Sequence, residues 1–186
     1  MFNTILVALD PEEDCTYILE QAVDMAKRTD AELELMGVLT PTSDNTLAWA
    51  TYYPEISIYS TDATEEIWLD YQRRYEDHKN RVKVALGRWV NRALSAGVSA
   101  GFFQAEGPAG REICDRAKAI HADLIVVGSH GRTGLSEIFM GSVSNYVMHH
   151  APCSVLVIHT PKAQSRQEIR LKTKDHRTKV SGRLDR

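Results

Sequence analysis

The chain has 186 residues, enough for one well-cored domain and too few for two large ones, and with 43% hydrophobic and 25% charged residues it has the composition of a folded globular protein rather than a disordered one. The formal charge of −3 is unevenly spread: Lys162 to Arg186 hold nine Lys/Arg against three Asp/Glu, a net +6, which leaves −9 on residues 1–161. No run approaches the roughly 18 apolar residues of a membrane-spanning helix, and the start at Met1 lacks the basic leader of a secretory signal, so a cytoplasmic protein without a membrane span is expected.

In chain order, Ile5-Leu-Val-Ala-Leu9 is a short apolar run ended by Asp10-Pro11 and reads as a buried strand. Pro11 suits the first turn of a helix, and Ile18, Ala22, Met25, Ala26 and Thr29 then fall at helical spacing. Glu32 to Leu39 reads as a second strand ended by Thr40-Pro41, and strand, helix, strand favours a right-handed crossover in a parallel sheet. Residues 41–62, with Pro41, Pro54, Trp49, Tyr52, Tyr53 and Tyr59, interrupt the rhythm as an insertion.

From about Glu65 to Ala96 a helical stripe of Trp68, Tyr71, Tyr75, Val82, Leu86, Trp89 and Ala93 predicts a helix of roughly 45 Å, longer than strands of about 20 Å can cover. Such a helix must break, or its first half must project. A strand follows from Gly97 through Glu106, then Gly107-Pro108 opens a helix with Ile113, Ala117 and Ile120 on one face. Asp123-Leu-Ile-Val-Val-Gly128 is the clearest strand. A loop leads to Gly141, a helix runs to about His150, and Ser154 to Ile158 is the last strand. Five strands alternating with four helices are the signature of a doubly wound α/β domain with helices on both faces of a parallel sheet. Residues 1–161 form that single domain, and 162–186 a basic tail expected to be disordered or loosely helical.

Cys15, Cys114 and Cys153 lie outside any C-x-x-C pattern, which argues against a zinc site or disulfide framework and for small buried hydrophobes. In doubly wound folds, ligands sit at the carboxyl ends of the strands near the point where strand order reverses. That rule gathers Asp10, Val38, Leu39, Gly107 and Gly128 around one crevice. The informative segment is Gly128-Ser-His-Gly131-Arg-Thr-Gly134-Leu-Ser-Glu-Ile-Phe-Met-Gly141-Ser142-Val-Ser144: a strand end, a glycine-containing loop and a helix start. Glycines admit a ligand close to the backbone, and the free N–H groups of a helix start favour an anion. Phosphate binding and plain turn-making are both open on these residues, since Gly128 and Gly131 could serve a turn and Ser142 could cap the helix through Asn145 N–H.

The spacing G-x-x-G, nine residues, G-S, met by Gly128, Gly131, Gly141 and Ser142, resembles the ATP-binding motif of universal stress proteins. Ile5 to Asp10, Ala122 to Gly134 and Ala151-Pro-Cys-Ser-Val-Leu-Val-Ile158 are similar to that family in the same order. The resemblance implies a strand order 3-2-1-4-5 and an ATP ligand, with Mg2+ on its phosphates. It further implies that Asp10 contacts the nucleoside, Val38 offers its backbone to adenine, Gly128 and Gly131 line ribose and α-phosphate, and Gly141, Ser142 and Val143 hold the β- and γ-phosphates. Ala8, Gly107, Arg132 and Ser144 complete the candidate binding set. A homodimer through strand 154–158 is implied as well, since a bare apolar edge strand needs a cover.

Where the family often has Gly-Ser after the aspartate, this chain has Pro11-Glu12-Glu13, which leaves a second reading of Asp10 as a helix N-cap closed by Glu13. His130 reads as a neutral loop residue, and His149 and His150 suit a helix C-terminus. The expected function is a nucleotide-responsive stress regulator acting through a protein partner, not an efficient enzyme; nucleic acid is not an expected partner. The competing readings are a slow ATPase or a phosphate- or adenylyl-transferring enzyme, and a nucleotide-independent scaffold. Efficient phosphoryl transfer requires metal ligands and a group orienting the nucleophile besides a phosphate cradle, and only the cradle is apparent.

Overall fold

The computed structural model describes residues 2–40, 65–129 and 141–160; the 41–62 insertion and the 162–186 tail lie outside them. Along the chain come strand β1 (Thr4–Ala8), helix α1 (Thr16–Thr29), β2 (Glu32–Leu39), α2 (Glu65–Ser95), β3 (Ala100–Glu106), α3 (Ala109–Ala119), β4 (Leu124–Gly128), α4 (Ser142–His150) and β5 (Ser154–Ile158). The strands form one parallel sheet in the order β3-β2-β1-β4-β5. The expected doubly wound α/β sheet and its strand order are therefore present.

Alternation along each strand divides the apolar residues between two cores. Ile5, Val7, Leu33, Leu35 and Val126 pack with Leu19, Ala22 and Ala26 of α1 and Val82, Leu86 and Ala93 of α2. Leu6, Met36, Ile125 and Val127 turn to the other face, against Ile113, Cys114 and Ala117 of α3 and Val147 of α4. Ile5, Leu6, Val7, Ile125 and Val126 are fully enclosed, and burial of each such side chain stabilises the fold by about 1.5–3 kcal/mol. Arg116 of α3 locks the second face further. It makes paired hydrogen bonds to the Glu34 carboxylate, one of them 2.8 Å, and its guanidinium lies 4.0 Å over the Phe103 ring.

Helix α2 is continuous over 31 residues, so the helix does not break. Val82, Ala85, Leu86 and Ala93 in its second half are buried, whereas no described side chain from Leu69 to Arg81 is. Lys79 marks the level at which it leaves the sheet: its Nζ lies 2.8 Å from Glu106 Oε1 at the end of β3, and its carbonyl accepts Gln104 Nε2–H at 3.1 Å. The turns before Lys79 therefore extend past the carboxyl ends of the strands.

Two local expectations are corrected. Pro11 does not open a helix: Pro11 to Glu13 form a turn and α1 begins at Thr16. The reason lies far off in sequence, because Gly37 of β2 leaves a hollow over which Pro11 closes, with Pro11 Cγ only 3.2 Å from where a Cβ on Gly37 would stand. The third strand begins at Ala100 rather than directly after Gly97, whose φ of +82° instead turns the chain out of α2. Of the three cysteines, Cys15 and Cys114 are buried and Cys153 half-buried. Among the described residues no helix is long and apolar enough to cross a membrane.

Candidate functional site

The carboxyl ends of β3, β2, β1 and β4 stand side by side, so Gly107, Val38, Asp10 and Gly128 share one rim, as strand order dictates. At about 4.8 Å between strands, that rim runs roughly 14 Å from β3 to β4. Ala8 and Val38 face the side of the sheet that carries α3 and α4. Gly107, held by its N–H to Leu39 O at 3.0 Å, has a φ of +138° that side chains rarely adopt. Gly131, Arg132 and His130 lie outside the described residues.

Asp10 does not cap α1. Its Oδ1 accepts the Glu12 N–H at 3.0 Å and its carbonyl accepts the Glu13 N–H at 3.0 Å and the Cys15 thiol at 3.3 Å. The capping-box reading therefore fails, since Cys15 occupies the N-cap and the helix starts five residues later than that motif requires. Burial, chiefly, pushes the Cys15 thiol up to about 12, so it stays neutral. The turn is also tied to α2 through His78 Nδ1 and Glu12 Oε1, 3.6 Å apart.

The β4–α4 junction is built differently. Ser129, directly after β4 and buried, receives the Gly141 N–H on its carbonyl at 2.8 Å and donates its own N–H to Ile158 O at 2.9 Å. The chain thus leaves and re-enters at the same point, which sets the start of α4 against the end of β4. Gly141 is the N-cap, with φ −59° and ψ 154°, angles open to any residue; what glycine contributes is bare backbone.

The first intrahelical bond of α4 runs from Asn145 N–H to Gly141 O, so the N–H groups of Ser142, Val143 and Ser144 have no acceptor within the helix. Among the described residues no side chain caps them, and the first turn carries no acid. Ser142 is thus the first helical residue and not the cap. Ser142 and Val143 are exposed, while Ser144 is buried with its hydroxyl donating to Gly141 O at 2.9 Å. An uncapped helix start of this kind attracts an anion through its oriented donors and dipole.

Two residues of this neighbourhood were not singled out from the sequence. Ser129 is one; its signal was a hydroxyl residue between a strand-ending glycine and the loop. Gly110 of α3 is the other: a Cβ there would lie 2.7 Å from Tyr146 Cδ1 of α4, so the two helices meet almost backbone to ring. Among the described residues no group of three or more His, Cys, Asp or Glu is placed to hold a metal ion.

The profile of the Universal stress protein family matches residues 1–159. A universal stress protein of Synechocystis sp. is 32% identical over 157 residues, 84% of this chain and 97% of that protein. Among solved structures, a universal stress protein in complex with cAMP matches with a TM-score of 0.55 at 21% identity, covering 86% of this chain and 98% of the other. A universal stress protein family protein from Arabidopsis thaliana with AMP bound matches with a TM-score of 0.51 at 20% identity, over 86% of this chain and 93% of its own. Those two likenesses concern the fold; with the family match over residues 1–159, they leave one assignment, and the chain belongs to the universal stress protein family.

Proposed function

We propose that the chain binds ATP at the carboxyl rim of its sheet and acts as a nucleotide-responsive regulator read by a protein partner. The observation that carries this reading is the uncapped start of α4, held against the end of β4 by the Gly141–Ser129 hydrogen bond. Three N–H groups without an acceptor in the helix, and the exposed Ser142, stand at the helix start where polyphosphate would lie. The rim of roughly 14 Å gives an extended nucleotide room to reach Val38 with its base. In this reading Asp10 contacts the nucleoside, Gly128 and Gly131 follow ribose and α-phosphate, and Gly141, Ser142 and Val143 hold the outer phosphates. Arg132 adds a cation to the same loop, and Mg2+ rides on the phosphates. The cAMP and AMP found in related proteins support an adenine nucleotide as the ligand class.

The same reading makes the protein a cytoplasmic homodimer. Val155, Leu156 and Val157 of β5 stay half-exposed at the sheet edge, where a second copy would cover them.

Calorimetric titration with ATP, ADP and AMP in magnesium tests the site. The expected result is micromolar ATP binding, weakened at least about tenfold in Gly141→Ala/Ser142→Ala, or ~1.4 kcal/mol. Wild-type protein that binds none of the three nucleotides would leave the fold intact and sink this function.

A further inference from the structure

Gly110 poses a problem of propensity. It sits in the first turn of α3, buried, in a helix where glycine is a poorer former than alanine. Neither positive φ nor a turn explains it, since the glycines with positive φ are Gly97 and Gly107 among the described residues. Space does. A Cβ at this position would stand 2.7, 2.8 and 2.9 Å from Cδ1, Cγ and Cβ of Tyr146. Because the clash includes the root of the tyrosine side chain, a ring rotation cannot relieve it; α4 itself would have to move. The ring is held besides, stacked 4.0 Å from the His150 ring at 12°, with His150 Nδ1 donating to Tyr146 O at 2.8 Å.

Tyr146 lies one turn beyond Ser142, on the helix whose start leaves N–H groups without an acceptor in the helix. That start is tied to the sheet by Gly141 N–H to Ser129 O, and one turn later the helix rests on α3 through Tyr146 and Gly110. We propose that Gly110 and Tyr146 are positioning residues for the outer-phosphate end of the site: their contact sets where the α4 N–H groups stand, and so how strongly the site prefers a triphosphate over a monophosphate. This rests on the nucleotide reading above. The pair touches no part of the ligand, and the nucleoside end at Asp10 and Val38 belongs to β1 and β2, which do not depend on it.

The test measures ATP and AMP affinity side by side in wild type, Gly110→Ala, Tyr146→Ala and the double variant, each first shown to be folded by circular dichroism. Gly110→Ala should weaken ATP about tenfold and AMP less than about twofold, so the ATP/AMP preference collapses while nucleoside-end binding stays. With Cδ1 and Cγ gone and only the 2.9 Å approach to the Cβ of residue 146 left, alanine at 110 should cost less than it does in wild type: the double variant should lose less ATP affinity than the sum of the two single losses, the non-additivity expected of residues in contact. Should Gly110→Ala fail to fold, Tyr146→Ala alone still decides, since it frees α4 without adding an atom and should also lower the ATP/AMP ratio. Equal losses for both nucleotides, an unchanged ratio in folded variants, or additive losses in the double variant would overturn the proposal and leave the nucleotide site standing. Wild-type protein without affinity for either nucleotide would overturn both.

Discussion

Two junctions lie next to each other at the carboxyl rim, β1–α1 and β4–α4, and they differ in the turn that leads into the helix. At β1–α1 the chain satisfies itself. Asp10 accepts the Glu12 and Glu13 N–H groups, Asp14 Oδ1 accepts the Thr16 N–H at 3.1 Å, and Pro11 folds over Gly37. Three acids, Glu12, Glu13 and Asp14, precede α1 and offset its dipole. At β4–α4 the N-cap is the bare backbone of Gly141, no side chain among the described residues caps the helix, and its first turn carries no acid. One sheet therefore carries a junction whose turn is closed by its own acids and another, at the start of α4, whose glycine-led backbone carries no acid in the first turn. In the proposed reading, position at the rim alone would not make a phosphate site; donors left without an acceptor in the helix would.

The contrast can be broken from the closed side. Gly37→Ala would press a methyl group to 3.2 Å from Pro11 Cγ and 3.3 Å from both Leu86 Cδ1 and Val82 Cγ1. Overpacking of this kind costs about 1–3 kcal/mol, read as a lower midpoint in urea unfolding. If the two junctions are independent, ATP affinity of the folded fraction should not change. A large loss of affinity with little loss of stability would show that the β1–α1 turn serves the ligand more than the fold.

A smaller effect sharpens the same point through Cys15, whose thiol is closed inside the β1–α1 junction. Its pKa in the folded protein, pushed up to about 12, exceeds the unfolded value of roughly 8.5. A raised thiol pKa contributes stability that is fully present below about pH 8.5 and declines as pH rises from there towards 12, because the unfolded chain ionises first. Wild type should lose stability across that window, and Cys15→Ala should lose less. In native protein at pH 8.5, iodoacetamide should label Cys153 before Cys15; equal rates would mean that the junction opens readily.

Much of this was legible in the sequence. Short apolar runs rich in β-branched residues marked β1, β4 and β5, the Thr40-Pro41 and Gly107-Pro108 breaks bounded β2 and β3, and the glycine and serine spacing at Gly128, Gly141 and Ser142 drew attention to the β4–α4 junction. The failures share a physical cause. Pro11 reads locally as a helix start, yet its place is decided by the missing side chain of Gly37, contributed by another strand. Gly110 falls inside the helix opened by Gly107-Pro108, where nothing local accounts for a glycine, because it answers to Tyr146 on another helix. The length of α2 was evident, but where it leaves the sheet depends on Glu106 and Gln104 meeting Lys79. Local pattern reports periodicity and propensity; it cannot report which distant residue fills a space.

The most direct measurement replaces the external anion with an internal one. In Ser142→Asp a carboxylate would sit at the start of α4, where it suits the dipole and competes for the same N–H groups. Titration with ATP should show affinity lowered about a hundredfold, ~2.8 kcal/mol, with a melting temperature equal to or above that of wild type. A folded Ser142→Asp protein that binds ATP as tightly as wild type would contradict the claim that the open start of α4 is the phosphate site.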